Sequence, residues 1–341
     1  MALLEVQNLS VALHTQRGPV TAVRDVSFTL ERGGTLGLIG ESGSGKSLTA
    51  LALMGLLPES GQAHGSVRLH GQELLGQTDA QWCQLRGNRV AMIFQEPMTA
   101  LNPVHPIGRQ VAEPLRRHQH MDAKAARQQA LALLERVGIP RAAQRLDDYP
   151  HQFSGGQRQR IMIAMALACQ PDVLIADEPT TALDVTVQQQ ILDLISDLVA
   201  ERGMGLILIS HDLGVISQNV DHMLVMYGGS VVESAPTEAL FAHMAHPYTR
   251  GLLAARPQLH AQRLPDGRMP PLQTIAGTVP ELVDLPAGCA FSGRCAFTAA
   301  QCRTQRPEPV VQNPTGTHWA RCLRPEAMQA DTAAPFCEST K

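Results

Sequence analysis

The sequence predicts an α/β fold built on a parallel sheet, and three features carry that expectation. Residues 173–176 and 206–209 are continuous apolar runs, the character of strands buried on both faces. Between them Val187, Ile191, Leu194, Ile195, Leu198 and Val199 recur at helical spacing, with Asp184 at the head and Gly203 past the tail. Residues 35–39 form a third apolar run, which ends in a glycine-rich loop followed by an apolar helical stretch over 48–57. Strands alternating with helices require an α/β core.

The remaining elements follow from local pattern. Residues 3–11 and 22–30 read as strands. Residues 66–70 alternate polar and apolar between Gly65 and Gly71, as a half-exposed antiparallel strand does. Asp122 is placed to cap a helix that runs to Val137 and stops before Gly138. Residues 222–226 and 231–232 flank Gly228-Gly229 and predict a hairpin. After about residue 240 the composition shifts to prolines (257, 265, 270, 271, 280 and 286) and then to clustered cysteines. The expected organisation is therefore a main domain over 1–240 and a small accessory domain over 241–341.

The bulk numbers exclude several classes. With 341 residues, 44% hydrophobic and 17% charged, the chain can bury a large core and is not disordered by composition. A net charge of -3 gives no basic footprint for nucleic acid. The N-terminus lacks the layout of a signal peptide, and no uncharged apolar run reaches the ~20 residues of a membrane helix. A cytoplasmic chain is expected, with any membrane role supplied by a partner. Seven cysteines in a reducing compartment read as thiols or metal ligands rather than disulfides.

The loop Gly40-Glu41-Ser42-Gly43-Ser44-Gly45-Lys46-Ser47 fits the phosphate-binding pattern, with a strand before it and a helix after it. Its glycines let consecutive N–H groups turn inward, and the helix N-terminus adds partial positive charge. Lys46 is placed to bridge the β- and γ-phosphates of a nucleotide, and Ser47 to ligate Mg²⁺. Residues 173–176 end in Asp177 and Glu178, two carboxylates at the carboxyl edge of the sheet, where α/β proteins bind ligands. Asp177 is expected to hold Mg²⁺ and Glu178 to orient or deprotonate the attacking water.

What separates this chain from other phosphate-loop proteins is Phe153-Ser154-Gly155-Gly156-Gln157 ahead of an apolar helix. With that segment the chain resembles the nucleotide-binding subunits of ABC transporters, whose signature is of the LSGGQ type. The resemblance implies a RecA-like core, an antiparallel β subdomain and a helical subdomain over about 97–168. It also implies that ATP is clamped between the phosphate loop of one subunit and the Ser154–Gln157 signature of another. Gln95 resembles the glutamine that senses Mg²⁺ and water, Ala182-Leu183-Asp184 the segment crossing the dimer interface, and His211 the switch histidine at the γ-phosphate. The adenine position falls on Leu13 or His14, where the family usually has an aromatic.

Three further stretches, Phe94-Gln-Glu-Pro-Met-Thr-Ala-Leu-Asn-Pro103, His246-Pro-Tyr-Thr249 and Gly288-Cys-Ala-Phe-Ser-Gly-Arg-Cys295, look like the dipeptide/oligopeptide importer ATPases. That family also serves nickel, glutathione and antimicrobial-peptide uptake. It implies a second ATPase subunit, two permease subunits, an external binding protein and a place on the cytoplasmic face of the plasma membrane. The rival function is a soluble ABC ATPase acting on DNA or ribosomes, but one uninterrupted cassette disfavours it. Cys289, Cys295, Cys302 and Cys322 have the spacing C-x5-C-x6-C-x19-C, which by itself does not choose between Zn²⁺ and a [4Fe–4S] cluster. The importer resemblance implies the cluster. Cys83, Cys169 and Cys337 read as unligated thiols.

Overall fold

The computed structural model describes residues 2–95, 100–181, 183–255 and 274–330. Its strands are β1 (Leu4–Thr15), β2 (Gly18–Leu30), β3 (Thr35–Ile39), β4 (Gly61–Leu69), β5 (Gln72–Glu73), β6 (Val90–Ile93), β7 (Val173–Asp177), β8 (Gly205–Ser210), β9 (His222–Tyr227), β10 (Ser230–Pro236), β11 (Val310–Val311) and β12 (Trp319–Ala320). One antiparallel sheet has the order β2-β1-β4-β5, and a larger mixed sheet has the order β11-β12-β10-β9-β3-β8-β7-β6. From β9 to β6 every neighbour is parallel.

The apolar runs explain this core. In β7, Leu174 and Ala176 enter one hydrophobic cluster while Val173 and Ile175 enter the other. In β8, Leu206 and Leu208 face the first cluster and Ile207 and Ile209 the second. A strand covered on both faces has no solvent side, so polar residues never alternate in. Each fully buried aliphatic side chain contributes about 1.5–3 kcal/mol.

Between β6 and β7 lie the helices Ile107–His118, Ala123–Arg136, Ala142–Arg145 and Gly155–Ala166. Val111, Leu115, Ala130, Leu134 and Ile161 join them to the first core cluster. The Asp122 carboxylate accepts from the N–H groups of Lys124 and Ala125, both at 2.9 Å, and Gly138 beyond the helix has φ 76°. Asp184 and Gly203 bound the helix Val185–Arg202 in the same manner. The helix after the glycine-rich loop is shorter than its apolar pattern, Lys46–Leu53. Gly55 takes φ 61° there, and the Leu56 N–H turns back to the Leu51 carbonyl at 2.8 Å. β1 and β2 are longer than their apolar segments, because backbone pairing continues to Thr15–Gly18 where the side chains have turned polar.

Sheet pairing continues beyond residue 240. β12 runs antiparallel to β10, with Glu233 opposite Ala320 and Ser234 opposite Trp319. Glu233 is fully buried, and its carboxylate accepts from the N–H groups of Ala245 (2.7 Å) and His246 (3.0 Å) and meets His318 Nε2 at 2.9 Å. One side chain thus joins three segments. Among the described residues no helix is long and apolar enough to cross a membrane.

Removing that carboxylate would orphan two buried N–H groups and a buried imidazole. Glu233→Ala is expected to cost about 2–4 kcal/mol. Thermal unfolding checks the cost, and limited proteolysis should show the region beyond residue 240 cut first.

Candidate functional site

Four parallel strands end at one edge of the large sheet, and each delivers a residue singled out in the sequence. β3 leads into Gly40–Ser47, β6 into Gln95, β7 into Asp177 and Glu178, and β8 into His211. The carboxyl edge of a parallel sheet is where loops converge and ligands bind.

The loop has the backbone its glycines permit. A Cβ on Gly40 would lie 2.2 Å from the carbonyl oxygen of Met226, so no side chain fits. Lys46 is 6% exposed, and its Nζ donates to the carbonyls of Gly40 (2.8 Å) and Glu41 (3.0 Å). Burial lowers the Lys46 pKa, while Glu178, Asp177 and Glu41 pull it back up. Ser44 Oγ and Asp177 Oδ1 are buried with no hydrogen-bond partner. Burial also holds the Asp177 carboxyl above its ordinary range, against the Ser47 hydroxyl that donates to it. An orphaned carboxylate oxygen beside a serine hydroxyl is a hard-oxygen donor set, so these residues fit Mg²⁺. An orphaned hydroxyl inside a loop of N–H donors fits a phosphate.

Glu178 stands at the centre. Its backbone has φ 45°, a left-handed conformation that non-glycine residues adopt at a cost. That turn follows Asp177 directly and lets two successive carboxylates leave one strand end. Glu178 Oε2 accepts from Gln95 Nε2 and Thr181 Oγ1, both at 3.0 Å, and Oε1 lies 3.3 Å from His211 Nδ1. The structure therefore brings together Gln95, Glu178 and His211, which lie far apart in sequence. It adds Thr181, one turn beyond Glu178, which sequence reasoning missed.

The signature residues are engaged locally. Ser154 Oγ accepts from the Gln157 N–H (3.3 Å) and Gln157 Oε1 accepts from the Ser154 N–H (3.2 Å), closing a capping box on the helix Gly155–Ala166. A Cβ on Gly156 would lie 2.9 Å from Val187 Cγ1, so this glycine lets that helix meet Val185–Arg202. Gly155 faces Leu183 with more room, at 3.8 Å. Asp184 Oδ1 accepts from the Val187 N–H at 3.0 Å, which makes its carboxylate a helix cap. Among the described residues the hydrogen bonds of Ser154, Gln157 and Asp184 are all within their own helix starts. Ala182 and residues 96–99, part of the motif beginning at Phe94, lie outside the described residues.

Comparison with known proteins decides the family. Residues 23–181 match the family described as ABC transporter, and residues 232–302 the one described as oligopeptide/dipeptide transporter, C-terminal region. A Brucella abortus protein is 50% identical over 94% of both chains. The oligopeptide transport ATP-binding protein AppD of Bacillus subtilis is 48% identical, over 94% of this chain and 96% of its own. OppD of Haemophilus influenzae, also named an oligopeptide transport ATP-binding protein, is 49% identical over 88% and 91%. This chain belongs to the ABC transporter ATPases. A dimeric ATP-binding cassette in a post-hydrolysis state with ADP and Pi superposes with a TM-score of 0.61 at 25% identity, covering 69% of this chain and 98% of that one.

This ABC ATPase departs from a bare cassette at the loop itself. Arg294, from the Gly288–Cys295 motif, forms a bidentate pair with the Glu41 carboxylate (2.6 and 3.1 Å), and the Glu41 N–H donates to the Tyr248 hydroxyl at 2.8 Å. Tyr227 packs edge to face on both Tyr248 and Phe291 behind them, and the three ring centroids lie 4.7–5.4 Å apart. Both Tyr248 and Arg294 sit inside motifs quoted from the sequence, but nothing in their spacing pointed to the phosphate loop.

Cys289, Cys295, Cys302 and Cys322 line one small cavity together with His246, Phe291 and Phe297. Burial pushes Cys289 and Cys322 up to about 11 and raises Cys295 as well. Four soft sulfurs around one cavity suit a thiophilic metal in donor chemistry. Their arrangement does not: among the described residues no three His, Cys, Asp or Glu side chains stand close enough to hold a metal ion. Cys83 and Cys169 are free thiols apart from this group, and Cys337 lies outside the described residues.

The pairing of Arg294 with Glu41 gives a double-mutant cycle. Arg294→Gln leaves an unpaired carboxylate beside the phosphates and should raise the KM for ATP several-fold. Arg294→Gln with Glu41→Gln should recover most of that loss, a coupling of about 1–2 kcal/mol. Steady-state ATPase assays on the four proteins measure it.

Proposed function

We propose that this chain is the ATP-binding and ATP-hydrolysing subunit of an importer for di- or oligopeptides. The observation that carries this is the Glu178 carboxylate, held by Gln95, Thr181 and His211 at the strand end next to Asp177, Lys46 and Ser47. The names of the relatives, oligopeptide transport ATP-binding proteins, supply the cargo class. The same machinery serving another cargo, such as nickel, glutathione or an antimicrobial peptide, is the alternative from which a transport assay must separate it.

In this mechanism the N–H groups of Gly40 to Ser47 and the Ser44 hydroxyl receive the β- and γ-phosphates. Lys46 exchanges its two carbonyl acceptors for phosphate oxygens and neutralises their charge. Water attacks the γ-phosphorus in line, Glu178 takes its proton, and the bond to the β–γ bridging oxygen breaks. His211 contacts the γ-phosphate and Gln95 orients the water. Ser47, Asp177 and Gln95 would hold Mg²⁺, which would supply charge neutralisation at the phosphates. Positioning and charge stabilisation supply most of the acceleration.

The signature Ser154, Gly155, Gly156 and Gln157, with Asp184, serves the nucleotide of a second, related cassette subunit. Two permease subunits and an external binding protein complete the assembly, with this subunit peripheral on the cytoplasmic face of the membrane and no nucleic acid involved. Residues 1–240 act as the cassette and 241–341 as an extension whose four cysteines close on a [4Fe–4S] cluster, with Zn²⁺ as the alternative.

Glu178→Gln is expected to retain ATP binding, to lose at least about 100-fold in turnover, and to accumulate as an ATP-bound dimer on size-exclusion chromatography. Unchanged turnover would remove Glu178 from the role of base. For the extension, anaerobic purification should give a brown protein with iron and acid-labile sulfide in equal amounts. A colourless protein with stoichiometric zinc would reverse the metal assignment.

A further inference from the structure

A cavity of about 180 Å³ lies between the antiparallel sheet and the C-terminal extension, lined from β2, from the β9–β10 hairpin and from the extension, with no residue of Gly40–Ser47. Its charged side chains are Arg24, Arg306 and Arg321 against Asp25 and Glu308. One arginine takes both carboxylates: Arg321 lies 3.1 Å from Asp25 and 3.8 Å from Glu308. Arg24 uses its Nε on the Thr21 carbonyl at 3.1 Å, and among the described residues its terminal nitrogens have no acceptor. Arg306 has no hydrogen bond or ion pair among the described residues. Burial lowers the Arg24 pKa, and the charge of Arg306 lowers it further, as two cations held near one another require.

We propose that this cavity is an anion site, and that Arg24 and Arg306 hold in it a small tetrahedral dianion of the class of hydrogen phosphate and sulfate. Two guanidiniums brought to one cavity without a carboxylate repel each other, and a dianion bound to both turns that repulsion into attraction. The charges match, because Arg321 is already offset by Asp25 and Glu308 and two positive charges remain. A guanidinium is always charged and presents its N–H donors as a rigid fork, which suits the paired oxygens of such an ion. Volume sets the size: the cavity falls below the roughly 300–1,000 Å³ of pockets for drug-sized ligands, so it excludes a nucleotide and suits a single ion. An ion on both arginines joins β2 to the extension close to the phosphate loop. The Arg24 N–H donates to the Gly229 carbonyl at 2.7 Å, and the Gly229 N–H to the Ser44 carbonyl at 3.1 Å. The site stands apart from the nucleotide reading, since no loop residue lines it.

The test uses the full-length chain with its phosphate loop filled by a non-hydrolysable ATP analogue and Mg²⁺, so that inorganic phosphate added afterwards reports on sites elsewhere. Calorimetric titration should find one phosphate per chain, displaced by sulfate and far less well by acetate. Arg306 is exposed, so Arg306→Gln should keep the fold; it should weaken phosphate about tenfold and leave the affinity for the analogue as it was. Phosphate should also raise the melting temperature of the unaltered protein more than that of the variant. No phosphate binding by the unaltered protein would overturn the site. Equal phosphate affinity in the two proteins would overturn it too, since the ion would then lie away from the arginines, and equal competition by acetate would overturn the choice of a dianion. If the analogue failed to bind while phosphate binding still depended on Arg306, the nucleotide reading would fall and this site would stand.

Discussion

Burial of the parallel strands on both faces is the constraint from which the candidate site follows. With β3, β6, β7 and β8 packed between two hydrophobic clusters, their directions and spacings are fixed. The strand interiors are apolar, so chemistry is displaced to the carboxyl ends: to Asp177, the last residue of β7, and to the residues just beyond the other strands. There the phosphate loop, Gln95, the Asp177–Glu178 pair and His211 meet with no large cost in loop ordering. The expensive features are local: a left-handed Glu178, a buried Lys46 and an Asp177 oxygen without a partner. Strain and unsatisfied polarity at one sheet edge mark a place built for a ligand.

The segment beyond residue 240 is joined to that edge. β12 extends the core sheet, Glu233 binds it from inside, Arg294 clamps Glu41, and Arg17 pairs with Glu281 and Asp284. These contacts differ in strength. The Glu233 and Arg294 pairs are largely withdrawn from water, whereas Arg17 is exposed and its pairs are weak anchors that salt screens. A phosphate loop whose second residue is paired with the extension cannot shift without disturbing it.

The four cysteines occupy the same extension. They border the cavity that also contains Phe291 and His246, residues that back the Tyr248 contact to the loop. Burial raises the thiols of Cys289, Cys295 and Cys322, and aromatic and aliphatic side chains make up much of the cavity wall. Metal ligation would replace that packing with bonds to thiolates, so proton release and closure would occur together.

By itself the sequence determined the elements whose cause is local. The apolar runs gave β7 and β8, Asp122 and Asp184 gave helix starts, and the glycines gave the phosphate loop. The residues of the site were also legible, because each follows directly on an element with a strong pattern. What only the tertiary structure decided are contacts between distant segments. Gln95, Thr181 and His211 meet Glu178; Arg294 reaches Glu41; Arg17 pairs with Glu281 and Asp284. Such contacts depend on which strands pair and how far apart their ends stand, and no periodicity of a few residues encodes that. The role of Gly156 shows the same division: its neighbours spell a signature, but only the packing of two helices reveals that Val187 leaves no space for a side chain.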